Sequence, residues 1–254
     1  MVEGPPELAA GRALVANACR VLAAEGLVET ILGHVSLRVD ERRLLVRARG
    51  PDERGLRFTT PADVVLVDLD GHPQPGETDL RLPSELPIHT ELLRARPDAR
   101  AVVHAHPPEI VTCTVVGIGL RPIVGAYNIG AYRLARQGIP TYDYAGLIRD
   151  ASRASGLVDA MGDSSACLLQ GHGLVTCAGT VEEAVLVALD LCQLARVTLA
   201  CAATGRVPHE VDEDDAVDLP DLGATHRAQL WRFYAAHADE VLGGPPPGRR
   251  ESPS

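Results

Sequence analysis

The sequence predicts an α/β protein in which helices pack on both sides of a sheet. Two observations lead to this prediction. Segments with strand-like alternation are mixed along the chain with segments of helical periodicity. Hydrophobic residues make up 46% of the 254 residues and charged residues 23%, as is usual for a folded globular chain. We place one domain at residues 1–242, because residues 243–254 lack apolar anchors and are predicted to form a mobile tail.

The first part of the chain is expected to form a helix followed by strands. Residues 7–28 are rich in Ala and Leu, with apolar residues at helical spacing, which predicts an amphipathic helix. Two short alternating stretches, 35–39 and 44–47, are separated by charged turn residues and predict a hairpin. Residues 64–69 predict a further strand, and the stretch 72–81, which contains Pro and Gly, predicts a loop.

The second part is expected to alternate between helices and strands. A helix with Ser84 as N-cap and Glu85 in its first turn should run to about Arg96. Residues 101–106 predict a short buried strand, which a Pro-Pro pair ends before a new helix. Three units of a strand followed by a helix, an acidic connector and a last helix come next. They are residues 123–137, 139–161, 167–203, 209–221 and 224–242.

Charge and composition exclude several classes of partner. The net charge is −10 and no cluster of Lys and Arg stands out, so we expect neither nucleic-acid nor anionic-lipid binding. The N-terminus shows no signal-peptide pattern, and no apolar stretch approaches the roughly 20 residues that span a bilayer. The six cysteines form no CxxC pair and are expected to be reduced. We therefore predict a cytoplasmic protein whose partner is a small anionic molecule.

Two histidines in one predicted strand indicate a metal site. His104 and His106 are two residues apart, so their side chains leave the same face of the strand and can bind one cation. His172 is the best third ligand, because Gly171 and Gly173 let the backbone turn sharply around a bound ion. The alternative for each histidine is a hydrogen-bonded core residue. The ligands favour zinc, with manganese, iron or cobalt as other divalent candidates.

Glu85 is the carboxylate that we expect beside this metal. A carboxylate there can ligate the ion and can also move a proton, provided that its pKa lies near the operating pH. The alternative is a helix-start carboxylate that interacts only with exposed backbone N–H groups. His89 lies four residues later on the same helical face, where it either orients Glu85 or belongs to the core. We interpret His89 as a supporting residue rather than a catalytic one.

Four short motifs follow one another along the chain. They are Gly33-His34-Val35-Ser36, Ser84-Glu85, His104-Ala105-His106 and Gly171-His172-Gly173. Arg96-Pro97-Asp98 precedes the third motif, and Gly179-Thr180-Val181-Glu182-Glu183-Ala184 follows the fourth. No single piece is specific, but the ordered set resembles the class II aldolase/adducin family over residues 8–205.

The resemblance implies a three-layer α/β/α fold with a central, mostly antiparallel sheet, and a homotetramer whose active sites lie at subunit interfaces. His104, His106 and His172 match the metal-binding histidines of the family. Glu85 matches the glutamate that acts as acid/base and can also ligate the metal. Adducin-like members have lost the metal site, whereas all four residues are present here. The resemblance therefore implies a metal-dependent lyase that makes or breaks a carbon–carbon bond.

The anion-binding positions differ from those of the sugar-phosphate aldolases in this family. His34 replaces an Asn in the first phosphate loop, Arg49 lies in an altered second loop, and Pro83 replaces a Ser beside Ser84. The sequence looks closer to the branch of decarboxylases for hydroxylated phthalates and related pyridine dicarboxylates. This likeness implies the non-oxidative decarboxylation of a hydroxylated aromatic dicarboxylic acid, such as a dihydroxyphthalate, in the catabolism of aromatic compounds.

Four residues are our candidates for binding this substrate. We expect His34 or Arg49 to hold a second carboxylate, since arginine pairs with carboxylates through a bidentate fork; alternatively, Arg49 is a solvated loop charge. Ser84 and Tyr127 are the other two candidates, and Tyr127 would act from a neighbouring subunit. Two other functions are considered. A fuculose-phosphate-like aldolase or epimerase would use the same metal and Glu85, whereas an adducin-like interaction module would bind no metal.

Overall fold

A computed structural model describes residues 6–77 and 80–244, and its centre is a seven-stranded sheet. In chain order the strands are β1 (His34–Arg38), β2 (Arg43–Arg47), β3 (Val64–Asp68), β4 (Ala101–Ala105), β5 (Thr141–Tyr142), β6 (Ala166–Leu169) and β7 (Gly173–Ala178). Their order across the sheet is β3-β2-β1-β4-β7-β6-β5. Neighbouring strands are antiparallel, except that β5 and β6 are parallel. The mostly antiparallel sheet that the resemblance implies is confirmed.

Helices cover both faces of this sheet. Within the described ranges they are α1 (Pro6–Ala24), α2 (Leu86–Ala95), α3 (Pro108–Val115), α4 (Ile129–Gln137), α5 (Ala151–Met161), α6 (Val181–Ala203), α7 (Glu213–Ala216) and α8 (Gly223–Leu242). One face is covered by α1, α3 and α6, against which α4 and α8 pack. The other face is covered by α2 and α5. The α/β fold with three layers is therefore confirmed.

Side-chain alternation along the middle strands explains why both faces are apolar. In β2, Leu45 packs beneath α1, whereas Leu44 and Val46 pack beneath α2 and α5. In β4, Val103 and Val102 divide between the two faces in the same way. A strand buried on both faces needs apolar residues at every position, so it loses the inside-outside pattern of a surface strand. Polar residues in such strands stand out, and His104 in β4 and His34 in β1 are two of them.

Three bounds differ from the sequence prediction. The helix α2 begins at Leu86, so Glu85 rather than Ser84 is its N-cap, and the Glu85 side chain makes no capping hydrogen bond. The predicted strand before α4 is wrong, because Ile123 and Val124 pack against the core as a loop without joining the sheet. The unit 167–203 contains two strands, β6 and β7, rather than one, because a tight turn with two glycines divides it.

The helix α6 is 23 residues long and, by length and composition alone, apolar enough to cross a membrane. The prediction that no apolar stretch approaches this length is therefore wrong for α6. The physical reason is its place in the core. It packs against β4 and β7 on one side and against α3, α4 and α8 on others, so more than half of its most apolar stretch is buried. A helix surrounded in this way is apolar on most of its circumference.

The C-terminal end of the domain is described only in part. The helix α8 ends at Leu242, and Gly243 follows in the left-handed conformation with φ +79°. A left-handed glycine is a common helix terminator because it has no Cβ. The predicted mobile tail at 243–254 falls almost entirely outside the described residues, and it stays a prediction.

Candidate metal centre

Three histidines and one glutamate from distant parts of the chain meet on the α2 side of the sheet. Glu85 is the N-cap of α2, His104 lies in β4, His106 directly follows β4, and His172 lies in the turn before β7. One ligand atom of each side chain lies within 4.8 Å of those of the other three. The strands β4 and β7 are antiparallel neighbours, which brings the turn before β7 beside the end of β4.

His104 is fully buried, and a hydrogen bond fixes its imidazole ring. Its Nδ1 lies 2.9 Å from the carbonyl oxygen of Leu174. Since a carbonyl oxygen can only accept, Nδ1 carries the hydrogen and Nε2 keeps a free lone pair. Metal-binding histidines are commonly oriented by a carbonyl in this way. The Nε2 atom of His106 lies 2.8 Å from the same Nε2, so both rings converge on one point.

His172 lies in a turn that depends on its two glycines. Gly171 adopts a left-handed conformation with φ +59°. Gly173 approaches β4 so closely that a Cβ atom there would lie 2.2 Å from the carbonyl oxygen of Ala105. Both ring nitrogens of His172 are buried and have no hydrogen-bond partner within the described part of the chain. A buried polar atom without a partner is costly, which indicates that a ligand satisfies this ring.

The two carboxylate oxygens of Glu85 have different surroundings. Oε1 accepts a hydrogen bond of 2.8 Å from the backbone N–H of Ile148. Oε2 faces the histidines, 3.6 Å from Nε2 of His104 and 3.7 Å from Nε2 of His172. Burial raises the pKa of Glu85, but the contacts with His104, His172 and Ile148 outweigh burial and hold this pKa well below its ordinary value. Glu85 is therefore ionised, and Oε2 is available to a cation. Its pKa does not lie near the operating pH, as the predicted acid/base role requires, so that role stays a prediction.

These four side chains fit a divalent metal ion. Three imidazoles with an adjacent carboxylate match the nitrogen and oxygen donors of catalytic metal sites. Burial, followed by the neighbouring His104 and His172, lowers the pKa of His106 to about 3, so this ring is neutral and able to bind a cation. The directed lone pair of His104 and the unpartnered nitrogens of His172 fit the same ion.

His34 lies beside this cluster and belongs to a second set of buried polar residues. It faces His104 across β1 and β4, with the ring centroids 5.0 Å apart. Its Nδ1 lies 2.6 Å from Nε2 of His89, and Nδ1 of His89 lies 2.6 Å from Oγ of Ser36. Burial is the main cause that lowers the pKa of both rings, that of His89 to about 3. His89 therefore supports His34 by a direct hydrogen bond, and it makes none with Glu85.

Arg49 lies at the edge of the same site. Its backbone forms two hydrogen bonds of 2.8 Å with Arg81. Burial and then the charge of Arg47 lower the pKa of the Arg49 guanidinium, while the carboxylates of Glu53 and, to a smaller extent, Glu85 raise it. The charge of Arg49 also lowers the pKa of His106, so its field reaches the cluster. Within residues 6–77 and 80–244 the side chain of Arg49 forms no hydrogen bond or ion pair.

The other two substrate candidates, Ser84 and Tyr127, are exposed. Ser84 directly precedes Glu85 in the turn that leads into α2, so it flanks the cluster. Tyr127 is 72% exposed and lies in the turn before α4. Among the described residues it has no hydrogen bond or ring contact with the four metal-ligand candidates. One chain therefore brings Ser84, but not Tyr127, to the site.

Sequence reasoning missed several groups that orient these side chains. The Ile148 N–H holds Glu85, and the Leu174 carbonyl fixes His104. Backbone groups are the same in every residue, so only the fold reveals these roles. Ser36 had a usable signal, because it follows His34 by two residues and shares its face of β1. The same spacing relates His106 to His104.

Comparison with known proteins agrees with this geometry. Residues 13–199 match the family described as Class II Aldolase and Adducin N-terminal domain. The chain is 50% identical over 232 residues to a 3,4-dihydroxyphthalate decarboxylase of Arthrobacter keyseri. The aligned region covers 90% of this chain and 94% of the relative. It is 34% identical over 211 residues to an L-fuculose phosphate aldolase of Escherichia coli O6:H1, and this alignment covers 81% of this chain and 90% of the relative.

Solved structures share the fold. An aldolase II superfamily protein from Pseudomonas syringae superimposes with a TM-score of 0.80 at 23% identity, covering 94% of this chain and 95% of the other. The residues that match the family model include all seven strands of the sheet. The chain therefore belongs to the class II aldolase and adducin family.

Proposed function

We propose that the protein is a cytoplasmic, metal-dependent decarboxylase of hydroxylated aromatic dicarboxylates such as 3,4-dihydroxyphthalate. The observation that carries this proposal is an ionised Glu85 among three histidines, near an Arg49 side chain that forms no hydrogen bond or ion pair with the residues that the structure describes. Such a site suits a dianion that is held at one end and reacts at the other. The higher identity to a decarboxylase, 50%, than to an aldolase, 34%, supports the same conclusion.

Glu85, His104, His106 and His172 would hold the divalent ion, which we propose to be zinc, with manganese, iron or cobalt as alternatives. When bound, this ion supplies a Lewis acid for the negative charge that develops as carbon dioxide leaves. His104 and His106 do not need to lose a proton before they bind the ion. The Leu174 carbonyl keeps Nε2 of His104 free of hydrogen, and His106 is neutral at physiological pH.

Glu85 then moves the proton. Because it is ionised, it first takes the proton of the ring hydroxyl next to the reacting carboxylate. The bond between ring and carboxylate breaks, carbon dioxide leaves, and the electron pair stays on the ring carbon. Oε2 returns the proton to that carbon, and the remaining phenolate takes one from water. The Ile148 N–H anchors Oε1, so Oε2 would leave the ion when it takes the proton.

The second carboxylate of the substrate would be held by Arg49, His34 and Ser84. Arg49 is positively charged, partly buried and without an ion pair among the described residues, and His34 lies beside the metal ligands. We also propose that the protein is a homotetramer in which Tyr127 of one subunit closes the site of another. Its 72% exposure in a single chain leaves this side chain free for such a contact.

Metal-reconstituted protein is expected to release carbon dioxide from 3,4-dihydroxyphthalate. The test is a panel of vicinal hydroxy-carboxylate aromatics and ketose phosphates, with carbon dioxide and aldehyde measured in parallel. Aldehyde formation from fuculose phosphate without carbon dioxide release would contradict the proposal and identify an aldolase that uses the same cluster. A protein that binds no metal and converts neither class would instead be an adducin-like interaction module.

Replacement of Arg49 by Gln is expected to lower kcat/KM for the dicarboxylate by roughly 10- to 100-fold, since a hydrogen bond between charged groups is lost. Activity on a monocarboxylate such as 2,3-dihydroxybenzoate should change little, because it has no second carboxylate. The matched control is Arg54→Gln, an exposed arginine in the loop that follows. An equal loss on both substrates would exclude Arg49 as the carboxylate partner.

A further inference from the structure

We propose that His34 donates a hydrogen bond from Nε2 to the substrate, and that a buried relay of Ser36, His89 and His34 sets its orientation and tautomer. In this view His89 is a positioning residue and Ser36 is its anchor. The inference rests on the proposed function, because it concerns how the retained carboxylate of an aromatic dicarboxylate is held. It adds two residues, Ser36 and His89, that contact no metal ligand through a hydrogen bond.

The geometry of the relay allows few hydrogen arrangements. Nδ1 of His34 and Nε2 of His89 lie 2.6 Å apart, so one of them must carry a hydrogen and the other must offer a lone pair. The same holds for Nδ1 of His89 and Oγ of Ser36, also 2.6 Å apart. Both histidines and the serine are buried, so water does not compete for these bonds. The two hydrogen bonds are therefore coupled, and donation runs in the same direction through all three side chains.

Two directions are available to neutral rings. If Ser36 donates to His89, then His89 donates to Nδ1 of His34, and Nε2 of His34 carries a hydrogen. If the direction is reversed, Nε2 of His34 presents a lone pair. Among the described residues Nε2 of His34 has no hydrogen-bond partner, so it is left for a ligand. An anionic oxygen accepts hydrogen bonds and cannot donate one, so a carboxylate selects the first direction.

The position of the relay places this donor at the metal centre. The strand register sets His34 opposite His104, with ring centroids 5.0 Å apart. The groups whose charges act on His34 are His89 and the candidate metal ligands Glu85, His104 and His106. A donor beside the cluster can form a hydrogen bond with a substrate that is bound there. Apolar residues would serve for packing alone. Packing therefore does not explain why three buried polar side chains are linked by hydrogen bonds.

Kinetics of the metal-loaded protein test the relay. Ser36→Ala is expected to raise KM for 3,4-dihydroxyphthalate by roughly 3- to 10-fold, with kcat and metal content nearly unchanged. His89→Leu should raise KM further, and His89→Gln should restore part of the loss, because its amide can still donate to His34. The matched control is Thr176→Val, which removes another buried hydroxyl, bonded to the Ala184 carbonyl at 2.7 Å. KM values equal to that of the control would overturn the proposal.

A second measurement does not depend on turnover. In the zinc-loaded protein labelled with ¹⁵N-histidine, nitrogen chemical shifts report which ring nitrogen carries hydrogen. With 3,4-dihydroxybenzoate bound, His34 is expected as the Nε2–H tautomer, and Ser36→Ala should give a mixture of tautomers. A Nδ1–H tautomer of His34 would overturn the relay. Failure of the wild type to release carbon dioxide would overturn the proposed function alone, since the tautomer is read separately.

Discussion

Glu85→Gln is expected to lower the kcat of carbon dioxide release by roughly 10²- to 10⁴-fold, the usual contribution of an acid/base group. Glutamine keeps the shape of the side chain and can still accept the hydrogen bond from Ile148. Its amide cannot take the hydroxyl proton or return it to the ring carbon. The three histidines are unchanged, so the variant should retain metal. Carbon dioxide release and metal content, measured on the same sample, check both expectations.

The control for this variant is Glu25→Gln. Glu25 also contacts a histidine, with Oε1 2.7 Å from Nδ1 of His237, but this pair lies between the end of α1 and α8. The control therefore removes a Glu–His contact of the same kind outside the candidate site, and it should keep the wild-type kcat. Full activity of Glu85→Gln would rule out the acid/base role of this residue.

Removal of the metal from the wild type is expected to abolish turnover and to lower the Tm. At a free metal concentration about 100 times Kd, binding stabilises the folded state by about 2.7 kcal/mol. For a chain of this size the Tm should then fall by roughly 5 to 10 °C. The two ring nitrogens of His172 are buried and form no hydrogen bond with the described residues, which is the structural reason for a stability effect beyond lost activity. Chelation, followed by activity and thermal unfolding before and after metal is added back, checks the prediction.

Substitutions of single histidines test the need for metal one ligand at a time. His104→Ala should lose both metal and activity, but it also removes a fully buried side chain and its bond to Leu174. His106→Ala is therefore the safer variant, since His106 lies beyond the end of β4 and is only partly buried. His237→Ala is the matched control outside the site. Wild-type activity after complete chelation would show that the reaction needs no metal.

Much of the fold followed from local pattern. The hairpin of β1 and β2, the strand β4 and the helix that follows Pro107 and Pro108 all occur where alternation and proline placement predict them. The antiparallel topology came only from the resemblance, because strand pairing depends on contacts between distant segments. The strand predicted at the start of the unit 123–137 is a loop, because apolar residues such as Val124 can fill the core from a loop as well as from a strand.

In the candidate site, too, some contacts could be predicted from residue spacing and others depend on the fold. A spacing of two residues was enough to bring His104 and His106 together, because strand geometry has a fixed period. His89 was expected to orient Glu85 or to lie in the core, but its side chain contacts His34 and Ser36 instead, and its supporting role stays a prediction. A helical residue four positions from Glu85 can turn toward any neighbouring strand, and here it meets β1. The anchors of Glu85 and His104 are backbone groups, which carry no sequence signal.

The apolar character of α6 has a consequence for how the chain is made. Synthesis proceeds from the N-terminus, and domains fold as they emerge from the ribosome. All seven strands of the sheet precede α6 in the chain, so β4 and β7, the strands on which it packs, are synthesised before the helix, and of the helices packed against it only α8 is added later. An exposed helix of this composition would invite aggregation or capture by a membrane. A circular permutation that put α6 ahead of the strands is expected to leave the helix exposed for longer during synthesis.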